Sequence, residues 1–145
     1  MNWQKEAIAD LRNYRQRKKS IDSMAERIRV LEDKYKSIRC SAMDTTPVMG
    51  GSSRVEDSMI NNIAERQRLD LNMAATKRLI ELTERGLSAL DDRQRIVLEK
   101  FFIDRPIRHV EWLMERFCVE QSQIYRMKDE ALYSFTISMF GLIDY

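Results

Sequence analysis

From Trp3 onward the apolar residues of this chain return at alternating steps of four and three. They run through Trp3, Ala7, Tyr14, Ile21, Met24, Ile28, Leu31, Tyr35 and Ile38, and only Asp10 and Arg17 break the frame. This is the period of a coiled coil, sustained over about five heptads with charge around the rest of the surface. It predicts a helix from about Asn2 to Ile38. A second frame keeps phase through Val55, Met59, Asn62, Arg66, Leu69, Met73, Thr76, Ile80, Thr83, Leu87 and Leu90, with no glycine or proline before Gly86. Between them, Cys40 to Ser53 holds Pro47, Gly50, Gly51, several Ser and Thr, and a single charge at Asp44. Residues of about 39–54 therefore read as a loop.

Two helices of nearly equal length across such a loop fold back antiparallel, because that buries both stripes within one chain. Setting Ile38 opposite Val55 places Asp10 opposite Thr83 and Arg17 opposite Thr76, polar against polar. The same register sets Asn62 against Leu31 and Arg66 near Ile28. Buried polar positions of this kind fix a register or meet a second subunit, so a homodimer is an open expectation. The basic run Arg15-Gln-Arg-Lys-Lys19 reads either as a solvated helix face or as a phosphate-contacting patch.

After Leu90 the coiled-coil spacing stops and three shorter helical segments follow. Asp91 is a good N-cap with Gln94 at capping-box spacing, and Ile96, Val97, Phe101 and Phe102 supply the buried face of a helix from about Asp92 to Phe102. The Asp104-Arg-Pro106 stretch ends it. A second helix is expected from His109 to Phe117, burying Val110, Leu113 and Met114. A third starts near Glu120 and continues through Ile124, Met127, Ala131, Leu132 and Phe135. Two helices joined by a turn of three or four residues and braced by a third define a helix-turn-helix, whose second helix can enter the major groove. Helical spacing turns Gln121, Ser122, Tyr125, Arg126 and Lys128 toward solvent. Gln and Arg can read A or G with two hydrogen bonds, and Ser, Tyr and Lys can hold phosphates. The apolar tail from Tyr133 to Tyr145 is expected to pack on the hairpin or on a second subunit.

Composition narrows the function. Lys+Arg total 25 and Asp+Glu 23. By segment, residues 1–39 carry 11 basic and 6 acidic side chains, 54–90 carry 6 of each, and 91–145 carry 8 and 10. The basic excess is at the front, and the segment expected to read DNA is slightly acidic. With four Gly and two Pro in 145 residues, an all-β fold lacks its turns, whereas Leu, Met, Ile, Glu, Lys and Arg suit helices. Cys40 and Cys118 have no metal-ligand spacing with His109, the only histidine, so two free thiols and no metal are expected. No Ser-His-Asp or Cys-His arrangement is present, and Gly50-Gly51 lacks the residues of a phosphate loop. No enzymatic activity, cofactor or small-molecule substrate is expected. There is no apolar run of the ~18 residues that a bilayer span requires, so a cytoplasmic protein without a membrane partner is expected.

The run Leu90-Asp-Asp-Arg-Gln-Arg-Ile-Val-Leu98, then Phe101-Phe-Ile-Asp104, Val110-Glu-Trp-Leu-Met114 and Phe117 to Leu132 resembles the promoter-binding region 4 of bacterial sigma factors. The whole chain, including Leu11-Arg-Asn-Tyr-Arg15, the Pro/Gly/Ser loop and Val55-Glu-Asp57, is similar to small phage regulators of the RinA and ArpU type, which control late-gene transcription. The resemblance implies base reading by Gln121, Ser122 and Arg126 and phosphate contacts near Arg93, His109, Glu111 and Gln123. It also implies RNA polymerase as a partner beside duplex DNA, in the cytoplasm of a bacterial host. The chain departs from the family at three positions: Glu120 for Ser or Thr at the N-cap, Met114 for a small residue, and Cys118 for Gly or Asp in the turn. The expected architecture is all-α, with a long antiparallel hairpin over 1–90 and a three-helix helix-turn-helix domain over 91–145. Its expected function is that of a DNA-binding transcription regulator, a late-gene activator or sigma-like factor. A small terminase subunit or similar packaging adaptor is the alternative, and a coiled-coil interaction protein the third.

Overall fold

A computed structural model describes residues 2–44 and 51–141, with side-chain surroundings for 2–41 and 54–141. The described residues are all-α. Helices α1 (Trp3–Asp44) and α2 (Gly51–Ser88) form a long N-terminal pair, followed by α3 (Asp92–Leu98), a π-helical turn (Glu99–Ile103), α4 (His109–Phe117) and α5 (Gln121–Phe140). Both long helices reach into the stretch expected as loop: α1 continues through Cys40-Ser-Ala-Met-Asp44, and α2 already includes Gly51-Ser-Ser53. The reason is local, since Ala and Met favour a helix and neither Gly nor Pro interrupts residues 40–44. The centre of that loop, residues 45–50, and the end of the tail, 142–145, lie outside the described residues.

The chain forms two compact units, one of residues 19–77 and one of residues 1–18 with 78–145. In the first, α1 and α2 run antiparallel in the register the heptad frames predict. Asn62, 6% exposed, donates from Nδ2 to the Leu31 carbonyl at 2.7 Å, and Arg27 meets Glu65 at 3.2 Å. Arg66 does not reach into an apolar layer. Its Nε donates to Asn62 Oδ1 at 2.9 Å, and its guanidinium stands 5.1 Å over the Tyr35 ring. The polar seam residue is thus bonded on both sides, which removes the ~1–3 kcal/mol cost of a buried unsatisfied group.

The second unit does not break at Leu90 as the sequence suggested. The start of α1 and the end of α2 share one core with the C-terminal helices: Ala7, Leu11, Leu87, Leu90, Leu98, Ala131, Leu132 and Phe135 are buried together. Ile8, Phe102, Ile103, Met139 and Phe140 pack around them. Each of the large members contributes about 1.5–3 kcal/mol by leaving water, so the apolar C-terminal stretch is drawn into this core. α5 accordingly extends to Phe140, whose ring lies 5.0 Å from that of Trp3. Gly86 makes the close approach of α5 to α2 feasible, because a Cβ there would stand 2.8 Å from Phe135. Across the unit Tyr14 donates to Glu84 at 2.6 Å. That bond, together with burial, raises the Tyr14 phenol above its ordinary value, burial being the larger cause. The polar seam positions Asp10 and Arg17 pair with each other along α1 at 2.8 Å, and the Thr83 hydroxyl donates to the Leu79 carbonyl.

Candidate nucleic-acid interface

The helix-turn-helix is built on a second core, in which Val97, Phe101, Leu113 and Ile124 are buried and Ile96, Phe102, Val110, Met114, Phe117, Val119 and Met127 pack around them. Asp91 caps α3 as its spacing predicts, its Oδ1 accepting from the Gln94 amide at 2.8 Å. The following turn is wider than an α-helical one, with the Asp104 amide bonded to the Glu99 carbonyl. The expected α-helix to Phe102 is therefore corrected to α3 plus a π turn. Adjacent aromatic residues on a regular helix point 100° apart, and here Phe102 packs against both cores while Phe101 is buried in one. π turns recur where a helix has to re-aim side chains near a functional surface.

α4 ends at Cys118 in the left-handed conformation, with φ 54° and ψ 48°, its amide bonded to the Met114 carbonyl. This is the turn position where glycine is the usual choice, so the departure seen in the sequence carries backbone strain. Arg108, ahead of α4, is also left-handed, at φ 60°. Met114 is half-buried and packs against the core. α5 starts at Gln121 after Glu120, whose side chain makes no capping hydrogen bond.

The first half of α5 is open. Gln121, Ser122, Gln123, Tyr125 and Arg126 are exposed, and Gln121, Ser122 and Tyr125 line one depression of the surface with Glu120. At 3.6 residues per turn, Ser122 and Arg126 share the outward ridge, Gln121 and Tyr125 form one flank, and Gln123 stands on the other. Among the described residues Arg126 is in no ion pair. Its five donors are thus available to a base edge or a phosphate.

Lys128 does not project into solvent as expected. Its side chain is 25% exposed, and its ammonium sits 5.8 Å over Phe101 and 5.7 Å over Tyr125 while pairing with Asp129 at 3.0 Å. Aromatic faces and a carboxylate hold the charge beside the site. Phe101 links three of the candidate residues, since His109 lies edge-on to it at 4.7 Å and Tyr125 at 5.9 Å. Arg93 stands apart from that group, 5.5 Å over the Phe117 ring. Glu111 is 3.8 Å from Arg108.

His109 has a lowered pKa, first because burial disfavours its charged form and second because Arg105 is nearby. Arg105 Nε donates to His109 Nδ1 at 3.4 Å, which leaves Nε2–H as the donor of a neutral imidazole. Sequence reasoning missed Arg105 and the organising role of Phe101. The i, i+4 spacing of Arg105 and His109 was a usable signal, whereas Phe101 reads from sequence only as core. Three of the four cations in the basic run of α1 are engaged within the protein, Arg15 with Asp104, Arg17 with Asp10 and Lys18 with Glu84 at 3.8 Å, while Lys19 is exposed.

Among the described residues no group of His, Cys, Asp or Glu is arranged to hold a metal ion. Cys40 and Cys118 are exposed free thiols. No helix among the described residues is long and apolar enough to cross a membrane. Comparison with protein-family models, with curated proteins and with solved structures gave no match.

Proposed function

We propose that this chain is a phage-type transcription regulator that reads duplex DNA with the first two turns of α5. The observation that carries this reading is the exposed row of Gln121, Ser122, Gln123, Tyr125 and Arg126 on the second helix of a helix-turn-helix whose buried face is filled. Gln121 and Arg126 are the base readers, Ser122 and Gln123 bond phosphates or bases, and neutral His109 with Arg105 and Arg93 contacts the backbone. Lys128 acts as a fixed charge beside Tyr125. Polymerase contact and late-gene control in the cytoplasm of a bacterial host belong to the same proposal.

The segment is slightly acidic, and three cations of α1 are already paired, so affinity rests on a few placed contacts. The number of phosphates neutralised is correspondingly small, and the slope of log affinity against log salt is expected to be about −2 to −4. Selection of duplexes from a random pool by the purified full chain tests the reading. A short enriched sequence supports it, and recovery of no preferred sequence at low salt overturns it.

A further inference from the structure

α2 carries a second heptad row on the side opposite the one that meets α1. Within the unit of residues 19–77, Ile60, Ala64, Gln67, Leu71 and Ala74 recur at steps of four and three, with Ile63 and Ala75 beside them. At 100° per residue this row stands about 180° round the helix from Asn62 and Leu69, the side that bonds to Leu31. Its members are open to solvent. Leu71 is 73% exposed, Ile60 61% and Ile63 36%, and Ala64, Gln67, Ala74 and Ala75 are exposed as well. The row has an acidic end at Glu56 and Asp57 and a basic end at Lys77, all exposed, and none is in an ion pair among the described residues.

We infer that this face of α2 pairs antiparallel with the same face of a second copy of the chain, about a two-fold axis near Gln67. Charge selects the occupant and its direction. Reversal brings the acidic end of each copy to the basic end of the other at both ends of the seam, whereas parallel pairing sets each acidic end against itself. Size agrees with charge. About Gln67, position 60 is related to 74 and position 71 to 63, so Ile60 meets the small Ala74 of the reversed copy while Leu71 meets Ile63, apolar against apolar. The small residue opposite Ile60 lets the two helices approach closely there. The row from Glu56 to Lys77 is about 30 Å long, or three heptads. That is below the contact of a permanent dimer, which buries ~2,000 Å² or more, so the pair is weak and concentration-dependent. A two-fold contact of this kind closes on itself and stops at two copies. None of this depends on the DNA-reading proposal.

Analytical ultracentrifugation of the full chain between about 1 and about 500 µM tests it. The mean mass is expected to rise from 17.3 kDa toward twice that value. Leu71→Glu, at an exposed site and with unchanged helicity by circular dichroism, is expected to weaken the dimer at least ~10-fold. Glu56→Lys and Lys77→Glu should each weaken it, and the two combined in one chain should restore it. A chain that stays monomeric throughout, an assembly larger than two, or a Leu71→Glu variant that pairs as tightly as the parent overturns the inference. A combined variant as weak as the single ones overturns the antiparallel arrangement.

Discussion

Replacing Gly86 by alanine sets helix propensity against packing. Alanine is favoured over glycine in a helix interior by about 1 kcal/mol, so propensity alone would stabilise the variant. The new Cβ, however, would stand 2.8 Å from Cε2 of Phe135 and 3.0 Å from Cγ and Sδ of Met139. Met139 is half-buried and its thioether can turn aside. Phe135 cannot, because it has no exposed surface and is held among Leu11, Leu87 and Leu132. Overpacking of this kind costs about 1–3 kcal/mol, which outweighs the propensity gain and leaves a net loss of about 1 kcal/mol. The corresponding fall in Tm is about 3 °C for a chain of this size. Urea unfolding followed by circular dichroism measures it. The decisive comparison is the same substitution in Phe135→Leu, where removal of the ring edge should let alanine stabilise and give a coupling of about 1–2 kcal/mol. Stabilisation of the parent protein by Gly86→Ala, or strict additivity of the two changes, would refute the docking of α5 on α2 described above.

Three further outcomes follow from the geometry. Cys118→Gly relieves a left-handed residue that costs about 1–2 kcal/mol, offset by about 0.4–1 kcal/mol of added chain entropy in the unfolded state. The thermal midpoint should therefore rise, and a fall would contradict the observed turn. Asn62→Asp removes the Nδ2 donor to the Leu31 carbonyl and sets a carboxylate oxygen against it, for a loss of about 1–3 kcal/mol in denaturant titrations; an unchanged midpoint would show that this bond is not made. The His109 ring protons should titrate by NMR with a midpoint below 6.5, since burial and Arg105 both disfavour the imidazolium. The stability gained from keeping that ring neutral is present above the unfolded value of ~6.5 and lost as pH falls through the lower folded value. A midpoint at or above 6.5 would contradict the placement of Arg105.

The heptad frames made α1 and α2 legible because a 3.5-residue period has few other solutions, and the Asn62–Leu31 pair fell where the register put it. α4 and the start of α5 were equally legible, since an amphipathic stretch on each side of a short turn leaves little freedom. The domain boundary at Leu90 was not, because a helix frame does not reveal that Ala7, Leu11 and Leu87 share their core with Phe135. The π turn escaped as well: two adjacent phenylalanines look like one helical face until Phe101 is seen buried in one core while Phe102 packs against both. The second row on α2 was hidden by its alanines, which count as apolar only once the face is seen to be open. Within the candidate site, the exposed row of α5 followed from spacing. The turning of Lys128 onto Phe101 and Tyr125 depends on rings contributed by two elements, which one helix's periodicity does not contain.

Fluorescence anisotropy of the full chain and of Arg126→Ala, on a duplex recovered by selection and on one changed at a single base pair, decides whether α5 reads DNA. Arg126 is exposed and in no ion pair among the described residues, so its truncation should leave folding intact. Recognition of a base by Arg126 predicts a loss of about 1–3 kcal/mol on the selected duplex. It also predicts that the variant no longer distinguishes the duplex altered at the contacted position. Equal affinity of the parent protein and Arg126→Ala for both duplexes would contradict it.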